Sequence, residues 1–269
     1  MCEVIVSVIM GVYNSDKNRL GKAIDSILGQ TYDNFEFIIC DDGSTNGVSE
    51  YISECYKDSR IRLISNTKNS GLAFTLNHCL KYAKGKYIAR MDDDDISEKT
   101  RLKKQVKFLD ENPQISIVGT SLWLTDENGT WGEDYLKETP CKSDLLYGVV
   151  HAHPSIMVRK EAYEAVDGYR SLKRTRRTED YDLYLRMYAL GIQGYNLQEK
   201  LYYYNQSMET LGKRKFNHRL DEVALRIEGF SRLGLMPKGI VYCFKPILSG
   251  IIPNSIKQKR LYKQHRIKE

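Results

Sequence analysis

Apolar residues along the first 125 positions alternate between two spacings. Val4 to Met10 is a short, β-branched run, which predicts a buried strand. Leu20, Ala23, Ile24, Ile27 and Leu28 then recur at helical spacing over 19–29. Phe35 to Cys40 is a second apolar run, followed by a helical pattern over 47–57 and a third run at Ile61–Ile64. Leu72, Leu76 and Leu80 mark a helix over 72–83, Lys86–Met91 a fourth strand, and Ile115–Leu124 a fifth. Ser97 is placed to cap a helix over 98–110. Strands and helices alternating across short connections predict an α/β fold, with a mostly parallel, Rossmann-like sheet covered by helices.

The second half is less regular. It predicts a strand at Ser155–Val158, an amphipathic helix over 179–190, a short strand at Leu201–Tyr204, and helices over 214–232 and 238–252. The expected organisation is one domain in two halves, 1–125 and 126–210, followed by a helical extension, 211–269.

Composition narrows the class. The 269 residues are 41% hydrophobic and 10% aromatic, enough for a packed core and too apolar for a disordered chain. No apolar run approaches the ~20 residues of a membrane-spanning helix, and Met1–Val6 lacks the basic start and small-residue cleavage site of a secretory signal. A chain kept in the cytoplasm is expected. Its six cysteines, without a CxxC pair, predict reduced thiols and no zinc site. The net charge of +6 is carried mainly by residues 253–269, whose six Lys and Arg face Glu269 alone. The rest of the chain is near neutral, which argues against a nucleic-acid-binding protein.

Two acidic clusters carry the chemistry. Asp41-Asp42 follows one buried strand and Asp92-Asp93-Asp94-Asp95 another. Parallel strands end at a common edge, and ligands bind beyond it. Cys40 and Met91 are therefore expected to finish neighbouring strands that point the same way. Alone, four aspartates read as a solvated turn before a helix. Two acidic strand ends side by side suit Mg²⁺ or Mn²⁺ shared with phosphate oxygens.

Val6-Ser7-Val8-Ile9-Met10-Gly11-Val12-Tyr13-Asn14, Ser26 to Tyr32, Asp41-Asp42-Gly43-Ser44, Asn69-Ser70-Gly71 and Asp92 to Asp95, in that order, resemble glycosyltransferase family 2. The resemblance implies a GT-A fold, a nucleotide-sugar donor and inversion at the anomeric carbon. It implies that Gly11, Tyr13 and Asn14 border the nucleotide, and that Asp42 accepts from uracil with Asp41 beside it. Asn69 and Gly71 would line the base and ribose side. Asp92 and Asp94 match the outer carboxylates of the DxD motif, with Asp94 the direct metal ligand and Asp93 on the donor side. Thr178-Glu179-Asp180-Tyr181 resembles the second signature, with Asp180 as catalytic base; alone, Glu179-Asp180 reads as helix capping. His153, Glu179 and Arg177 would sit in the acceptor or sugar pocket. Arg170 to Arg177 reads as a solvated loop, or as a flap that orders on phosphate.

The expected activity is transfer of one hexose from a UDP-sugar to a glycan or undecaprenyl-diphosphate-linked acceptor, in bacterial surface polysaccharide (O-antigen or capsule) synthesis. The QxxRW motif of processive synthases is missing after residue 190, which favours single addition. Two other readings are a sugar-phosphate nucleotidyltransferase, which wants a glycine-rich phosphate loop not found after the first strand, and a catalytically silent GT-A binding protein. Residues 235–269 join a broken apolar stretch to a basic tail. That combination fits peripheral attachment at the inner face of an anionic membrane, or a packed helix with a frayed tail.

Overall fold

The structure is a computed structural model that describes residues 4–206 and 216–267. The predicted start of the chain at Met1–Glu3, the first two residues of the helix over 214–232, and Lys268 and Glu269 of the tail lie outside the described residues. The chain begins with strand β1 (Val6–Val12), helix α1 (Lys17–Leu28), β2 (Phe35–Asp41), α2 (Val48–Cys55), β3 (Ile61–Ser65), α3 (Leu72–Tyr82) and β4 (Tyr87–Arg90). There follow β5 (Ile96–Ser97), α4 (Arg101–Glu111), β6 (Ile115–Asp126) and the hairpin strand β7 (Gly129–Asp134). The second half supplies β8 (Met157–Arg159), α5 (Lys160–Glu164), α6 (Glu179–Ala189) and β9 (Gln193–Asn205). Helices α7 (Phe216–Arg232), α8 (Ile240–Cys243), α9 (Lys245–Ile251) and α10 (Asn254–His265) complete it.

Nine strands form one sheet in the order β3-β2-β1-β4-β8-β6-β9-β5, with β7 added on β6. β1, β2, β3 and β4 run parallel, as do β6 and β9. The predicted parallel edge is present, but β2 and β4 are not neighbours: β1 lies between them and pairs with both. β8 also departs from the simple alternation. It inserts antiparallel between β4 and β6, which restores β6 to the direction of β4. Loops after β1, β2 and β4 thus share one rim.

The apolar runs are buried on both faces, as parallel strands require. Val6, Val8, Met10 and Val12 of β1 pack with Leu20, Ile24 and Ile27 of α1 and Leu102 and Leu109 of α4. Ile9 turns to the other face, with Ile38, Leu76 of α3 and Leu183, Leu185 and Met187 of α6. α7 joins that second layer through Leu225 and Phe230, both buried.

Several local expectations are corrected. Ser97 does not cap α4: it lies in β5, and its hydroxyl accepts from the Gln30 side chain at 3.1 Å. The helix starts later, at Arg101, after Thr100, whose N–H and hydroxyl both donate to the Glu98 carboxylate. The helix over 238–252 is split into α8 and α9, because Pro246 fits only a first turn. The tail is not frayed where it is described. α10 stacks Tyr262 on Trp131 at 4.8 Å, and Arg266 bridges to Gly132.

Candidate active site

The loop after β2 is built around two carboxylates with different tasks. Asp42 is buried and accepts from the Asn66 side chain at 2.8 Å, the Ser70 N–H at 2.9 Å and the Gly71 N–H at 2.8 Å. A carboxylate has about four acceptor positions, so one remains toward the cavity that Asp42 lines. The turn that places it needs Gly43, which has φ +74° and would put a Cβ 2.8 Å from the Lys68 backbone. Gly71, at φ +90°, precedes α3 and also requires the left-handed freedom of glycine.

Asp41 does something else. Its oxygens accept from the Ser44 N–H and the Ser49 hydroxyl, and it is not among the residues lining the cavities of the rim. Asn14 is likewise structural. At φ +49° it donates its N–H to Ser44 and accepts from the Thr45 N–H, tying the β1 loop to the β2 loop. Asp41 and Asn14, expected beside the nucleotide, do not line these cavities and instead tie together the loops that do.

Between these loops and the acidic run lies a cavity of about 540 Å³, lined by Gly11, Tyr13, Asp42, Asn69, Gly71, Asp92, Asp93, Asp94 and Arg177. A second, of about 320 Å³, is lined by Arg90, Asp92, His151, His153, Arg177, Glu179, Asp180 and Tyr204. Leu72, Asp92 and Arg177 border both, so the two cavities meet at those residues.

The four aspartates are held apart by different partners. Asp92 is paired with Arg90 at 2.5 Å, and its N–H donates to the Tyr202 hydroxyl. Asp93 accepts from the Ser15 hydroxyl. Burial raises its carboxyl to about 7, with Asp92 and Asp94 adding to the rise. Asp94 is the exposed member, accepts from the Asn205 side chain at 2.9 Å, and is raised by burial and by Asp92. Asp95 is buried beneath them, accepts from the Asn205 N–H, and is raised well above the carboxylate range by burial, Asp92 and Asp94. Asp92, Asp93 and Asp94 line the cavity, and Asp95 is buried.

Arg90 is the residue that sequence reading missed. It ends β4 at 2% exposure, with its Nε and one terminal nitrogen unpaired. Burial acts to lower its pKa, but Asp92 outweighs that and holds the guanidinium well above its ordinary value. A lone cation closing an apolar strand was the available signal.

Asp180 and Glu179 open α6, with the Tyr181 N–H donating to Asp180 at 2.7 Å. Burial and Asp180 raise the Glu179 carboxyl. His153 lines the second cavity, pairs with the Tyr169 hydroxyl at 2.8 Å, and is kept neutral by burial and by Arg90. His151, beside it, is fully buried between Asn196 at 2.7 Å and Tyr188 at 2.9 Å, and burial lowers its pKa to about 4. The basic segment before α6 is largely anchored rather than solvated. Arg170 pairs with Asp182 and Glu228, and Arg174 with Glu228, leaving Arg176 and Arg177 at the cavity walls.

His151→Ala is expected to strand two buried partners and cost about 2–4 kcal/mol of stability, read by urea denaturation at pH 7. Below pH ~6.5 the unfolded chain takes up a proton that the fold refuses until about 4. Wild-type stability from this group therefore falls as pH drops through that window, and the variant should lose that part of the acid slope.

In an open, mostly parallel α/β sheet the loops at the carboxyl rim are where ligands bind, and here those loops are acidic. Residues 7–167 match the family model for glycosyl transferase family 2, and the chain belongs to that family. It is a glycosyltransferase with a GT-A fold. It is 41% identical over 257 residues to the putative glycosyltransferase EpsE of Bacillus subtilis, covering 94% of this chain and 92% of that one. It is 34% identical to the O-antigen biosynthesis glycosyltransferase WbnJ of Escherichia coli, over 68% of this chain and 71% of WbnJ. S. aureus TarS in complex with UDP-GlcNAc superposes with a TM-score of 0.72 at 18% identity, covering 90% of this chain and 73% of that structure. The mannosyltransferase PcManGT of Pyrobaculum calidifontis, with GDP-Man and Mn²⁺, gives 0.61 at 16%, covering 95% and 78%. At those identities the superpositions show the fold alone.

Proposed function

We propose that the chain moves a single hexose from a UDP-sugar, with inversion, to a hydroxyl of a glycan or undecaprenyl-diphosphate-linked acceptor. The observation that carries this is the meeting of two cavities at Asp92 and Arg177, one holding Asp42 and Asp94 and the other Asp180. Residues 1–125 supply most of the first and 126–210 most of the second, and none of the described residues 216–267 lines either. The relative WbnJ, an O-antigen biosynthesis glycosyltransferase, supports a role in surface-polysaccharide assembly, and the UDP-GlcNAc bound by TarS supports a UDP donor.

In this reading the free acceptor position of Asp42 meets the uracil N–H, and Gly11, Tyr13, Asn69 and Gly71 wall the base and ribose. The diphosphate lies toward Asp92 and Asp94, where Arg177 supplies positive charge. No group of three His, Cys, Asp or Glu among the described residues forms a ready metal site. The donor set nevertheless fits Mg²⁺ or Mn²⁺, which take one or two carboxylates plus phosphate oxygens, and Asp93 and Asp94 are raised by burial and by their acidic neighbours, a charge that a cation would offset. Asp94 and Asp92 would hold it, where it would offset charge on the departing diphosphate.

The chain's own groups do the rest. Asp180 takes the acceptor hydroxyl's proton as that oxygen attacks the anomeric carbon from the face opposite UDP. Arg90 pins Asp92 by one oxygen. His153, Glu179 and Tyr204 wall the sugar side, and burial with Arg90 makes His153 a poor proton acceptor, which leaves that role to Asp180.

Incubation with UDP-glucose, UDP-galactose, UDP-N-acetylhexosamines and GDP-mannose, with Mn²⁺ and then chelator, tests the reading. Turnover of one UDP-sugar, lost with chelator, and a product of inverted anomeric configuration are expected. Retention of configuration, or preference for GDP-mannose, overturns it. Asp42→Ala should weaken UDP binding ~10–100-fold, the value of a hydrogen bond to a charged group, measured by calorimetry.

A further inference from the structure

The helices after α7 carry an outward face that the catalytic reading does not use. Phe244 closes α8 and opens α9 with helical backbone angles, so 240–251 is one kinked helix. Val241, Phe244, Leu248 and Ile251 recur at spacings of three, four and three, which places them on one stripe. They are 70%, 47%, 60% and 76% exposed, while Cys243 and Pro246 on the opposite side are buried. Ile240 and Ile256 extend the exposed apolar surface. Apolar surface that is contiguous rather than scattered marks an interaction site.

The charge around the stripe is of one sign. Residues 233–267 contain seven Lys and Arg and no Asp or Glu. A symmetric pair of chains meeting through this face would set those cations against each other, since an isologous interface apposes a patch to itself. An anionic surface turns the same charges into attraction. The face also adjoins the cleft. Lys245 donates to the Tyr147 carbonyl at 2.5 Å, the Tyr147 and Tyr242 rings meet edge-on at 5.2 Å, and Val149, two residues on, lines the cavity that holds Asp180.

We propose that this face docks on an anionic phospholipid bilayer. The four stripe residues enter the boundary between headgroups and acyl chains, and the basic residues of α10 lie at the headgroups. Among the described residues no helix is long and apolar enough to cross a membrane, so attachment here is lateral. The consequence for catalysis, that Val149 and the Asp180 cavity face acceptors carried at the membrane, rests on the transferase reading above; the docking itself does not.

Co-sedimentation of the full chain with vesicles of phosphatidylcholine alone or mixed with phosphatidylglycerol, without donor or acceptor, tests it. Binding to the mixed vesicles only, weakened by salt, is expected. Val241→Asp, Leu248→Asp and Ile251→Asp together should lower partitioning at least ~10-fold. Lys257→Glu with Arg260→Glu should lower it ~20-fold or more, at about fivefold per basic residue. Circular dichroism and UDP titration of each variant confirm that the fold and cleft persist. No binding, equal binding to both vesicles, or undiminished binding by both variants overturns the proposal. So does a stable dimer by light scattering that the stripe variant dissociates, which would give the face to a second copy. These failures leave UDP-sugar transfer untouched, because the assay contains no substrate.

Discussion

Asp180→Asn is expected to cut kcat by ~10²–10⁴, the range contributed by a positioned general base, with little change in the KM for the donor. The amide keeps the shape of the carboxylate, and its carbonyl oxygen can still accept from the Tyr181 N–H that meets Asp180 at 2.7 Å. What it loses is the ability to take a proton. Because Asp180 lines the second cavity and not the one holding Asp42, UDP affinity should stay near the wild-type value. Glu179→Gln is the internal control. Its carboxyl is raised by burial and by Asp180, so it holds its own proton to higher pH than an ordinary carboxyl. A loss confined to Asp180→Asn assigns the base; near-normal turnover in that variant, with the deficit in Glu179→Gln, moves the role to Glu179.

The second large effect is expected from Asp94→Ala. Removing the exposed carboxylate should abolish transfer and remove the part of UDP affinity that depends on Mn²⁺ or Mg²⁺, leaving the part measured with chelator unchanged. Calorimetric titration of UDP with and without metal separates the two. Asp94 is the better probe than Asp92, since Asp92 is the partner of a buried arginine. Stripping that partner strands a charge in the interior, at a cost of ~3–5 kcal/mol, and confounds binding with folding. Metal-dependent UDP affinity equal to wild type in Asp94→Ala would take that residue out of the metal site.

The parts of this site that were legible in sequence are those announced by local pattern. A β-branched run that stops at an acidic pair, and another that stops at four aspartates, define strand ends whatever happens elsewhere. The periodicity of α1, α3 and α6 needs only neighbouring residues. What stayed hidden depends on pairing between distant segments. Nothing near Met157 tells that β8 inserts antiparallel beside β4, since three residues carry almost no register information. Asp41, the last residue of β2, and Asp42, the first after it, are chemically identical neighbours whose side chains point different ways. Their partners, Ser49 in one case and Asn66 and Gly71 in the other, decide which meets the ligand. Arg170 and Arg174 read as loop cations because Glu228, which binds both, lies more than fifty residues later on α7. His153 and His151 are two residues apart and similar in sequence context, yet the second is locked between Asn196 and Tyr188 as a core group.

The buried polar layer beneath the acidic run is the other feature that local pattern could not supply. Arg101 is fully buried, donates to the carbonyls of Arg90 and Pro154, and sits over the Tyr202 ring at 5.1 Å. Burial lowers its pKa to about 10, which still leaves it charged at neutral pH. With Arg90 it sets two cations behind the four aspartates, so the loop's own repulsion is partly offset in the unliganded chain.

The most direct measurement is a structure of the chain crystallised with UDP and Mn²⁺. The account predicts uracil against Asp42 between the β1 and β2 loops, with the diphosphate and the ion at Asp92 and Asp94 and open space continuing from the diphosphate to Asp180. Uracil seated away from Asp42, under residues 171–177, or an ion that touches neither Asp92 nor Asp94, would contradict it.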